Sequence, residues 1–238
     1  MPAVPGSKCG RGRPRSQVLR LVSGTLPWHR REAFVETAQG RAVTEKKPDP
    51  WTTLQSRVVY DNPWITLIEN DVLNVAGTPK LYTKIHMKRK ATGVVALDER
   101  GWTYLVGQQR YPLDLYSWEV PEGGSEEGED PLDTIKRELK EEAGLTAREW
   151  QHVLTMHLSN MLTDEVAYGY IATGLTVGAA EPEESEVLEL KHLPFLEAFA
   201  MAMDGAISDA ISVALLLKVR LLAERGELPG DLNRLVKF

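Results

Sequence analysis

Carboxylates concentrate between residues 123 and 145, in the segment GGSEEGEDPLDTIKRELKEEAGL. Glu138, Glu141 and Glu142 are three and four residues apart, a spacing that places side chains on neighbouring positions of one helix face. Like charges one turn apart repel by about a few tenths of a kcal/mol per pair, and a bound cation would offset that repulsion. Carboxylate oxygens suit hard divalent ions such as magnesium, which also takes ligands from substrate phosphates. The alternative is a solvated acidic face with ordinary ion pairs one turn apart.

The residues around these carboxylates predict a helix with defined ends. Asp130 suits the N-cap, Pro131 suits the first helical position, and Gly144 suits a left-handed C-terminal cap. The apolar residues between them recur at steps of three and four, at Leu132, Ile135 and Leu139. This stripe predicts that one face of the helix packs on a core, with the acidic face beside it. Arg137 and the upstream Glu129 are placed to pair across the preceding loop.

The whole segment resembles the signature of the Nudix hydrolases, in which a glycine and a glutamate precede Arg-Glu-Leu-x-Glu-Glu-x-Gly-Leu at fixed spacing. The positions that carry the resemblance are Gly123, Glu129, Arg137, Glu138, Leu139, Glu141, Glu142, Gly144 and Leu145. The resemblance implies an α/β fold, an α/β/α sandwich around a mixed sheet. It also implies a reaction, the attack of water on the diphosphate of a nucleoside diphosphate linked to another group.

The resemblance further implies a role for each matched acid. Glu138 and Glu142 are expected to be the principal ligands of Mg²⁺ or Mn²⁺. Glu141 is expected to be an additional ligand or a contact to a water of that ion. Arg137 and Glu129 are expected to form a structural ion pair. Glu141 and Arg137 are accordingly predicted to belong to the catalytic machinery.

Two motifs before the signature are similar to those of the ADP-ribose and nucleotide-sugar pyrophosphatases within that family. They read QxRYP at residues 108–112 and WEVPEG at residues 118–123. Arg110 is the candidate for binding a substrate phosphate, because a guanidinium forms paired hydrogen bonds with phosphate oxygens; the alternative is a surface ion pair. In this branch, position 122 is usually a small residue whose carbonyl binds a metal ion. Glu122 keeps that carbonyl as a predicted metal ligand, but its acidic side chain argues against narrow specificity for ADP-ribose.

A polar loop at residues 159–165 separates two apolar segments, residues 153–158 and 166–175, which are predicted strands. In the resembling enzymes, such a loop brings a glutamate that deprotonates the attacking water or binds a metal ion. Glu165 is the matching residue, and Asp164 competes for the role. The alternative for both is that they are turn-forming acids in a surface loop.

The remaining elements must position these side chains. The predicted strands before the signature are residues 57–60, 64–75, 81–87, 92–97 and 102–108, with the last two forming a hairpin around residues 98–101. Helices are predicted at residues 194–203 and 208–225. By resemblance, the first three strands form a small antiparallel sheet that pairs with a second subunit, which predicts a homodimer. Trp64 is either an aromatic residue on a sheet face or a platform for a base.

Composition and charge are consistent with an enzyme of this kind. The chain has 238 residues and is 42% hydrophobic, enough for one catalytic domain with extensions. Residues 1–47 contain ten Lys/Arg and three Asp/Glu, whereas the remainder carries 18 basic and 31 acidic residues. The acidic remainder argues against general nucleic-acid binding by the folded part. We expect a disordered basic extension at residues 1–50, N-terminal strands at 51–90 and a Nudix domain at 91–238.

The basic extension leaves several interpretations open. Residues 11–15 resemble the core of an AT-hook, which inserts arginines into the minor groove of DNA, but a single copy disfavours DNA contact. A transit peptide has a similar composition, and a later translation start would remove the extension. The single Cys9 cannot form an internal disulfide, which favours a cytoplasmic location. No apolar run reaches membrane-spanning length, so no membrane partner is expected.

These observations predict a magnesium- or manganese-dependent Nudix pyrophosphatase. The expected substrate is a nucleoside diphosphate sugar, with ADP-ribose as the leading candidate and AMP and ribose 5-phosphate as its products. The alternatives are a pyrophosphatase for GDP-mannose or a dinucleotide, and a non-catalytic nucleotide-sugar-binding regulator tethered to DNA by the basic extension.

Overall fold

The computed structural model describes residues 49–181 and 187–236. The strands within these residues are β1 (Thr52–Asp61), β2 (Ile65–Leu73), β3 (Pro79–Met87), β4 (Ala91–Ala96), β5 (Trp102–Arg110), β6 (Leu115–Glu119), β7 (Glu122–Gly124), β8 (Leu145–His157), β9 (Val166–Val177) and β10 (Glu189–Pro194). The helices are α1 (Pro131–Ala143), α2 (Phe195–Asp204), α3 (Ala210–Arg225) and the short α4 (Leu232–Leu235). The predictions for residues 1–48, including DNA contact by residues 11–15, lie outside the described residues.

The first strands form a small sheet at the N-terminal side. β1, β2 and β3 pair antiparallel in chain order, with Ile65 opposite Met87. Asn62 shapes the turn between β1 and β2, because its side-chain oxygen accepts hydrogen bonds from the backbone N–H groups of Trp64 and Ile65, each at 2.8 Å. The predicted N-terminal antiparallel sheet is therefore confirmed.

A mixed sheet forms the centre of the described structure. Its strand order is β7-β4-β9-β8, with β4 parallel to β9 and the other pairs antiparallel. A further antiparallel sheet has the order β10-β5-β6. The parallel pair brings the start of β4, Ala91, opposite Ala167 near the start of β9. Segments that precede these two strands therefore meet at one edge of the molecule.

The side chains of β4 alternate between two hydrophobic cores. Val94 belongs to the core that contains Ile135 and Leu139 of α1. Its neighbour Val95 belongs to the core that contains Leu215 of α3. Because successive residues of a strand point to opposite faces of a sheet, α1 and α3 cover opposite faces. The predicted α/β/α sandwich around a mixed sheet is confirmed.

The prediction that residues 92–97 and 102–108 pair as a hairpin is wrong. The turn itself is present, since the N–H of Gly101 donates to the carbonyl of Asp98 and the N–H of Asp98 donates to the carbonyl of Trp102, each at 3.0 Å. However, β4 pairs with β7 and β9, whereas β5 pairs with β10 and β6. The chain therefore changes sheet at this turn, because β4 is flanked by β7 and β9 and β5 is flanked by β10 and β6.

Other differences concern the bounds of elements. The predicted strand at residues 153–158 corresponds to the end of the longer β8, which begins at Leu145 directly after α1. The sequence interpretation did not include β6, β7, β10 or α4, which are short. Short elements give few periods of a pattern, so their hydrophobic residues carry little signal.

The organisation of the chain is described from Asp49 onward. Residues from Asp49 belong to one compact unit, and its division into segments 51–90 and 91–238 stays a prediction. Within the described residues, none of the helices combines the length and the apolar character needed to cross a membrane. The cytoplasmic location also stays a prediction.

Candidate active site

Helix α1 presents the signature carboxylates in a fixed orientation. The side chain of Asp130 caps its first turn by accepting the N–H of Leu132 at 2.9 Å, and Gly144 ends it in the left-handed region, with φ of 65°. Ile135 and Leu139 are fully buried on the face that packs on the mixed sheet. Because this packing fixes the rotation of the helix, the face that carries Glu138, Glu141 and Glu142 is held in one direction.

Two of these glutamates contact the backbone of β7. The N–H of Glu122 donates to Oε2 of the buried Glu142 at 3.0 Å. Glu138 lies so close to Gly123 that a β-carbon at residue 123 would collide with its carboxyl group. The signature glycine is therefore required by the close approach of a carboxylate to the backbone.

Arg137 connects three signature carboxylates. Its guanidinium donates to both oxygens of Glu129, at 3.1 and 3.2 Å, and to Glu138 and Glu141, each at 2.9 Å. The hydrogen bonds from Arg137 are the main cause that lowers the pKa of Glu129 to about 2. The predicted pair with Glu129 is thus part of a larger network, and Arg137 positions carboxylates from within that network.

The chemistry of this group fits a divalent cation. Glu138 and Glu142 approach the same short stretch of backbone, at residues 122–123. The atoms that each side chain offers to a metal ion are carboxylate oxygens. Glu141 lies beside them with its carboxylate against Arg137. Oxygen ligands from carboxylates and one carbonyl are the set that magnesium and manganese take in proteins. The tight contact at Gly123 leaves no room there for a side chain that would separate the carboxylate from the backbone.

An open cavity of about 450 Å³ adjoins this group. The candidate residues on its wall are Arg110, Glu122 and Glu165, together with the backbone of residues 123–124. Trp64 also lines the cavity and is 59% exposed. The structure therefore brings Arg110, Glu122 and Glu165 to one cavity. Glu138, Glu141 and Glu142 are not among the described residues that line it, and Glu138 and Glu142 approach it through the backbone at residues 122–123.

Arg110 is held by two carboxylates on that wall. Its Nε donates to both oxygens of Glu119, at 3.0 and 3.1 Å, and its Nη2 donates to Glu119 and to Oε1 of Glu122, the latter at 3.0 Å. Burial is the largest single effect on the pKa of Glu119 and raises it, but the hydrogen bonds and the charge of Arg110, with further hydrogen bonds, together lower the pKa below its ordinary value. This ion pair is buried on the side of Glu119, whose side chain is 3% exposed. Arg110 thus forms an ion pair, as its alternative role expected, but its own side chain is 34% exposed and one partner is buried.

The side chain of Glu122 adds an unusual acid to this wall. Glu119, Glu122 and Asp209 each place a carboxylate oxygen within 4.8 Å of the others. Among the described residues, Oε2 of Glu122 is a buried atom without a hydrogen-bond partner. Burial and the neighbouring charges of Asp209 and Glu119 raise the pKa of Glu122 well above its ordinary value. Three acids around one arginine give this part of the cavity an excess of negative charge when all are ionised.

Sequence reasoning assigned no role to Glu119 or Asp209. Glu119 belongs to the WEVPEG motif, which indicates a resemblance to the family but does not by itself give its glutamate a role. Asp209 is the N-cap of α3 and accepts the N–H of Ser212 at 2.7 Å, so its local pattern indicates only a capping residue. Its place on the cavity wall depends on the packing of α3 against β4, which the sequence does not give.

The two neighbouring acids of the loop at residues 159–165 point to different partners. Glu165 is half-buried on the cavity wall, and burial raises its pKa. Asp164 instead accepts a hydrogen bond from the N–H of Met87 at 2.8 Å and lies 2.7 Å from Nδ1 of His86. Its carboxylate is therefore engaged with the end of β3, whereas that of Glu165 faces the space where a substrate would bind.

An α/β/α sandwich that carries an acidic signature helix beside an open cavity defines a class of hydrolases. Comparison with family models gives the same assignment. The NUDIX domain model matches residues 87–215, and the model of the nucleoside diphosphate sugar hydrolase N-terminal domain matches residues 51–82. The chain belongs to the Nudix hydrolase family, which confirms the resemblance drawn from its sequence.

Individual relatives have different substrates in their names. A CMP-5'-(N-acetyl-N-hydroxy-3-aminopropyl)phosphonate hydrolase from Streptomyces rubellomurinus is 30% identical over 184 residues, which cover 76% of this chain and 87% of the relative. An ADP-ribose pyrophosphatase from Mycobacterium tuberculosis is 35% identical over 132 residues, or 54% of this chain and 64% of that enzyme. The crystal structure of an ADP compounds hydrolase has a TM-score of 0.68 at 21% identity, and the match covers 77% of this chain and all of that one. This last likeness shows a shared fold.

Proposed function

We propose that the chain is a divalent-metal-dependent pyrophosphatase of nucleoside diphosphate sugars, with ADP-ribose as the leading substrate and AMP and ribose 5-phosphate as products. The observation that carries the proposal is the contact of Glu138 and Glu142 with the backbone at residues 122–123, on the edge of the cavity that Arg110 and Glu165 line. Cation ligands, a phosphate ligand and a base are the three components that hydrolysis of a diphosphate requires.

The proposed ligands of Mg²⁺ or Mn²⁺ are the carboxylates of Glu138 and Glu142, with Glu141 and the carbonyl of Glu122 as further ligands. When bound, such an ion supplies positive charge that neutralises the diphosphate. Arg137 holds Glu138 and Glu141 through the hydrogen bonds described above, so that these carboxylates need little rearrangement when they become ligands.

Arg110 is proposed to orient the diphosphate. Its guanidinium is already fixed by Glu119 and Glu122, which limits the conformational freedom lost when a phosphate binds. A phosphate oxygen must compete with these carboxylates for N–H donors of Arg110. The acidic neighbours therefore select for a substrate with enough negative charge to draw the guanidinium toward it.

Glu165 is proposed to take a proton from the attacking water. Burial raises its pKa, which makes its carboxylate a stronger base than an exposed glutamate. The water oxygen forms a bond to one phosphorus, and the bond between that phosphorus and the bridging oxygen breaks. The bridging oxygen leaves with the other phosphate group, and the proton of the water goes to Glu165.

The comparisons support the substrate class in two ways. Residues 51–82 match the model of the N-terminal domain of nucleoside diphosphate sugar hydrolases. The M. tuberculosis relative is named for ADP-ribose. The S. rubellomurinus relative, which is similar over a larger share of both chains, favours a CMP-linked phosphonate as a second candidate.

A substrate panel tests this proposal. ADP-ribose, GDP-mannose, a dinucleotide, a CMP-linked phosphonate and a nucleoside triphosphate would be incubated with the chain and Mg²⁺ or Mn²⁺, and the products identified by chromatography. We expect ADP-ribose to give the highest kcat/KM and Glu142→Gln to lower kcat by roughly 100-fold or more. Glu197→Gln, an exposed carboxylate on α2, is the control. No turnover of any diphosphate by the wild-type chain would overturn the proposal.

We also propose that the small N-terminal sheet pairs with a second copy of the chain. β1 lies at an edge of its sheet, and every residue of the strand is exposed. The large apolar side chains that this sheet and its turns expose include Leu54, Val58, Val59, Tyr60, Trp64 and Leu81. An exposed edge with apolar side chains is a surface that a partner strand or sheet would cover.

Light scattering on a size-exclusion column tests the dimer. We expect twice the chain mass for the wild type and the mass of one chain for Val58→Asp, which places a charge on β1. Val75→Asp, in the turn after β2, is the control because Val75 is also highly exposed. A wild-type chain that elutes with the mass of one copy at all concentrations would overturn the dimer without affecting the proposed reaction.

A further inference from the structure

The loop at residues 159–165, here named the Glu165 loop, is attached to strand β3 of the small sheet. The N–H of Ile85 donates to the carbonyl of Leu162 at 2.9 Å, and the N–H of Asp164 donates to the carbonyl of Ile85 at 3.3 Å. Ile85 and Thr163 thereby form a parallel bridge. The hydroxyl of Tyr82 also donates to the carbonyl of Met161 at 3.0 Å.

Asp164 makes the side-chain contacts that complete this attachment. Its Oδ1 accepts the N–H of Met87 at 2.8 Å, and its Oδ2 lies 2.7 Å from Nδ1 of His86. His86 and Met87 are the last residues of β3. One carboxylate thus joins the residue before Glu165 to both the backbone and a side chain of another strand.

Glu165 is fixed on its other side by the mixed sheet. Two residues further along the chain, Ala167 pairs with Ala91 at the start of β4. The segment from Asp164 to Ala167 therefore runs beside the segment from Met87 to Ala91, with an attachment at each end. Glu165 lies between these two attachments, and a carboxylate on so short a segment has little freedom to leave the cavity wall.

We propose that Asp164 is a positioning residue, which with His86 and the N–H of Met87 fixes the direction of Glu165 toward the cavity. The small N-terminal sheet then contributes to the reaction by holding the base, in addition to any contact it makes with a second copy of the chain. This inference rests on the proposed function in one respect, the role of Glu165 as the base.

A comparison of two aspartates tests the proposal. Asp164→Ala removes the attachment, and Asp71→Ala removes a carboxylate of nearly equal exposure from the same small sheet, 45% against 46%, where it pairs with Arg57. We expect Asp164→Ala to lower kcat by roughly 10- to 100-fold with KM changed by less than about threefold. Asp71→Ala should leave both constants close to the wild-type values. Equal effects of the two variants would overturn the proposal.

A double-mutant cycle separates positioning from general loss of structure. If Asp164 acts through Glu165, then Asp164→Ala should have almost no further effect on the residual kcat of Glu165→Gln. The same fold-decrease in both backgrounds would overturn the proposal. A wild-type kcat for Glu165→Gln alone would remove the role of Glu165 as base, and the positioning role with it, without deciding whether the chain hydrolyses diphosphates.

Hydrogen exchange gives a readout that does not depend on activity. Asp164→Ala should raise the exchange rate of backbone amides in residues 162–167, and Asp71→Ala should not. Asp164→Asn keeps an oxygen that can accept the N–H of Met87, so it should restore part of kcat and part of the protection. It also serves as the test if the alanine variant does not fold. Unchanged exchange in both Asp164 variants would contradict the attachment itself.

Discussion

Nη2 of Arg110 lies 3.0 Å from Oε1 of Glu122, so the residue predicted to bind a phosphate pairs with an acid on the same cavity wall. Glu119 accepts hydrogen bonds from Nε and Nη2 of the same guanidinium. The planar guanidinium has several N–H donors, so it can replace a hydrogen bond to one carboxylate with a hydrogen bond to a phosphate oxygen and keep its hydrogen bond to the other carboxylate. If Arg110 binds a phosphate as proposed, these carboxylates neutralise its charge until the anion arrives.

Arg110→Lys should therefore weaken substrate binding even though it keeps the positive charge. An ammonium group has no planar fork, so it cannot bind Glu119 and a phosphate in the same geometry. We expect kcat/KM for ADP-ribose to fall by roughly 10- to 100-fold, mainly through KM. Steady-state kinetics measures this, with Arg100→Lys as the control because Arg100 pairs with Asp98 in an exposed turn. An unchanged KM would show that Arg110 binds no phosphate.

Glu165→Gln should remove the acidic limb of the pH profile. In the wild type, burial raises the pKa of Glu165 above its ordinary value, so kcat should fall as the pH decreases through that raised pKa and the base becomes protonated. The amide has no such titration, and kcat should be roughly 100- to 10,000-fold lower and independent of pH over this range. Rates measured from pH 5 to pH 9 under saturating substrate check this. A wild-type acidic limb in the variant would assign the base elsewhere.

The helix that carries the signature could be predicted because its signals are local. Asp130 caps it, Pro131 begins it and Gly144 ends it, as expected from residues within the helix and at its ends. The same holds for the turn at residues 98–101. The change of sheet at that turn could not be predicted, since β4 pairs with β7 and β9 and β5 pairs with β10, all of which lie farther along the chain. The other partner of β5 is β6, which follows it after a short connection.

In the candidate site as well, features set by local sequence could be predicted and features set by long-range packing could not. Glu138 and Gly123 were recognised from a signature within one short segment, whereas the approach of Asp209 to Glu122 requires α3 to pack on the sheet. The different directions of Asp164 and Glu165 depend on β3, whose position no local pattern gives. The sequence therefore indicated the acids of the signature and of the loop at residues 159–165, but not Glu119 and Asp209, which only the tertiary structure places on the cavity wall.

Gly123→Ala should disrupt cation binding more than substitution of the next glycine. A β-carbon at residue 123 collides with the Glu138 carboxyl group, whereas one at residue 124 only comes within 3.5 Å of the side chain of Arg89, which is ordinary contact. We expect the Mn²⁺ affinity to fall by roughly tenfold or more in Gly123→Ala and to stay within about threefold in Gly124→Ala. Titration with Mn²⁺ followed by electron paramagnetic resonance measures both. Equal affinities would show that the Glu138 carboxylate is not held in this position when the ion binds.

Glu129→Gln should lower stability in a pH-dependent way. The pKa of Glu129 falls from 4.5 to about 2 on folding, chiefly because of its hydrogen bonds with Arg137. Since the folded state then binds fewer protons than the unfolded state between these values, the contribution of Glu129 is fully present above pH 4.5 and is lost as the pH falls toward 2. The side chain is 20% exposed, so we expect Tm to decrease by roughly 1 to 4 °C at pH 7.

The pH series provides the decisive comparison for this ion pair. The difference in Tm between the wild type and Glu129→Gln should be constant from pH 7 to about pH 5 and should shrink below it, because protonated glutamate and glutamine then interact with Arg137 in a similar way. Asp133→Asn, at an exposed carboxylate of the same helix that pairs with Lys136, is the control and should give a smaller difference at pH 7. A difference that stays constant down to pH 2 would mean that the loss comes from shape rather than charge. In that case, the network around Arg137 would hold the signature carboxylates without depending on the ionised state of Glu129.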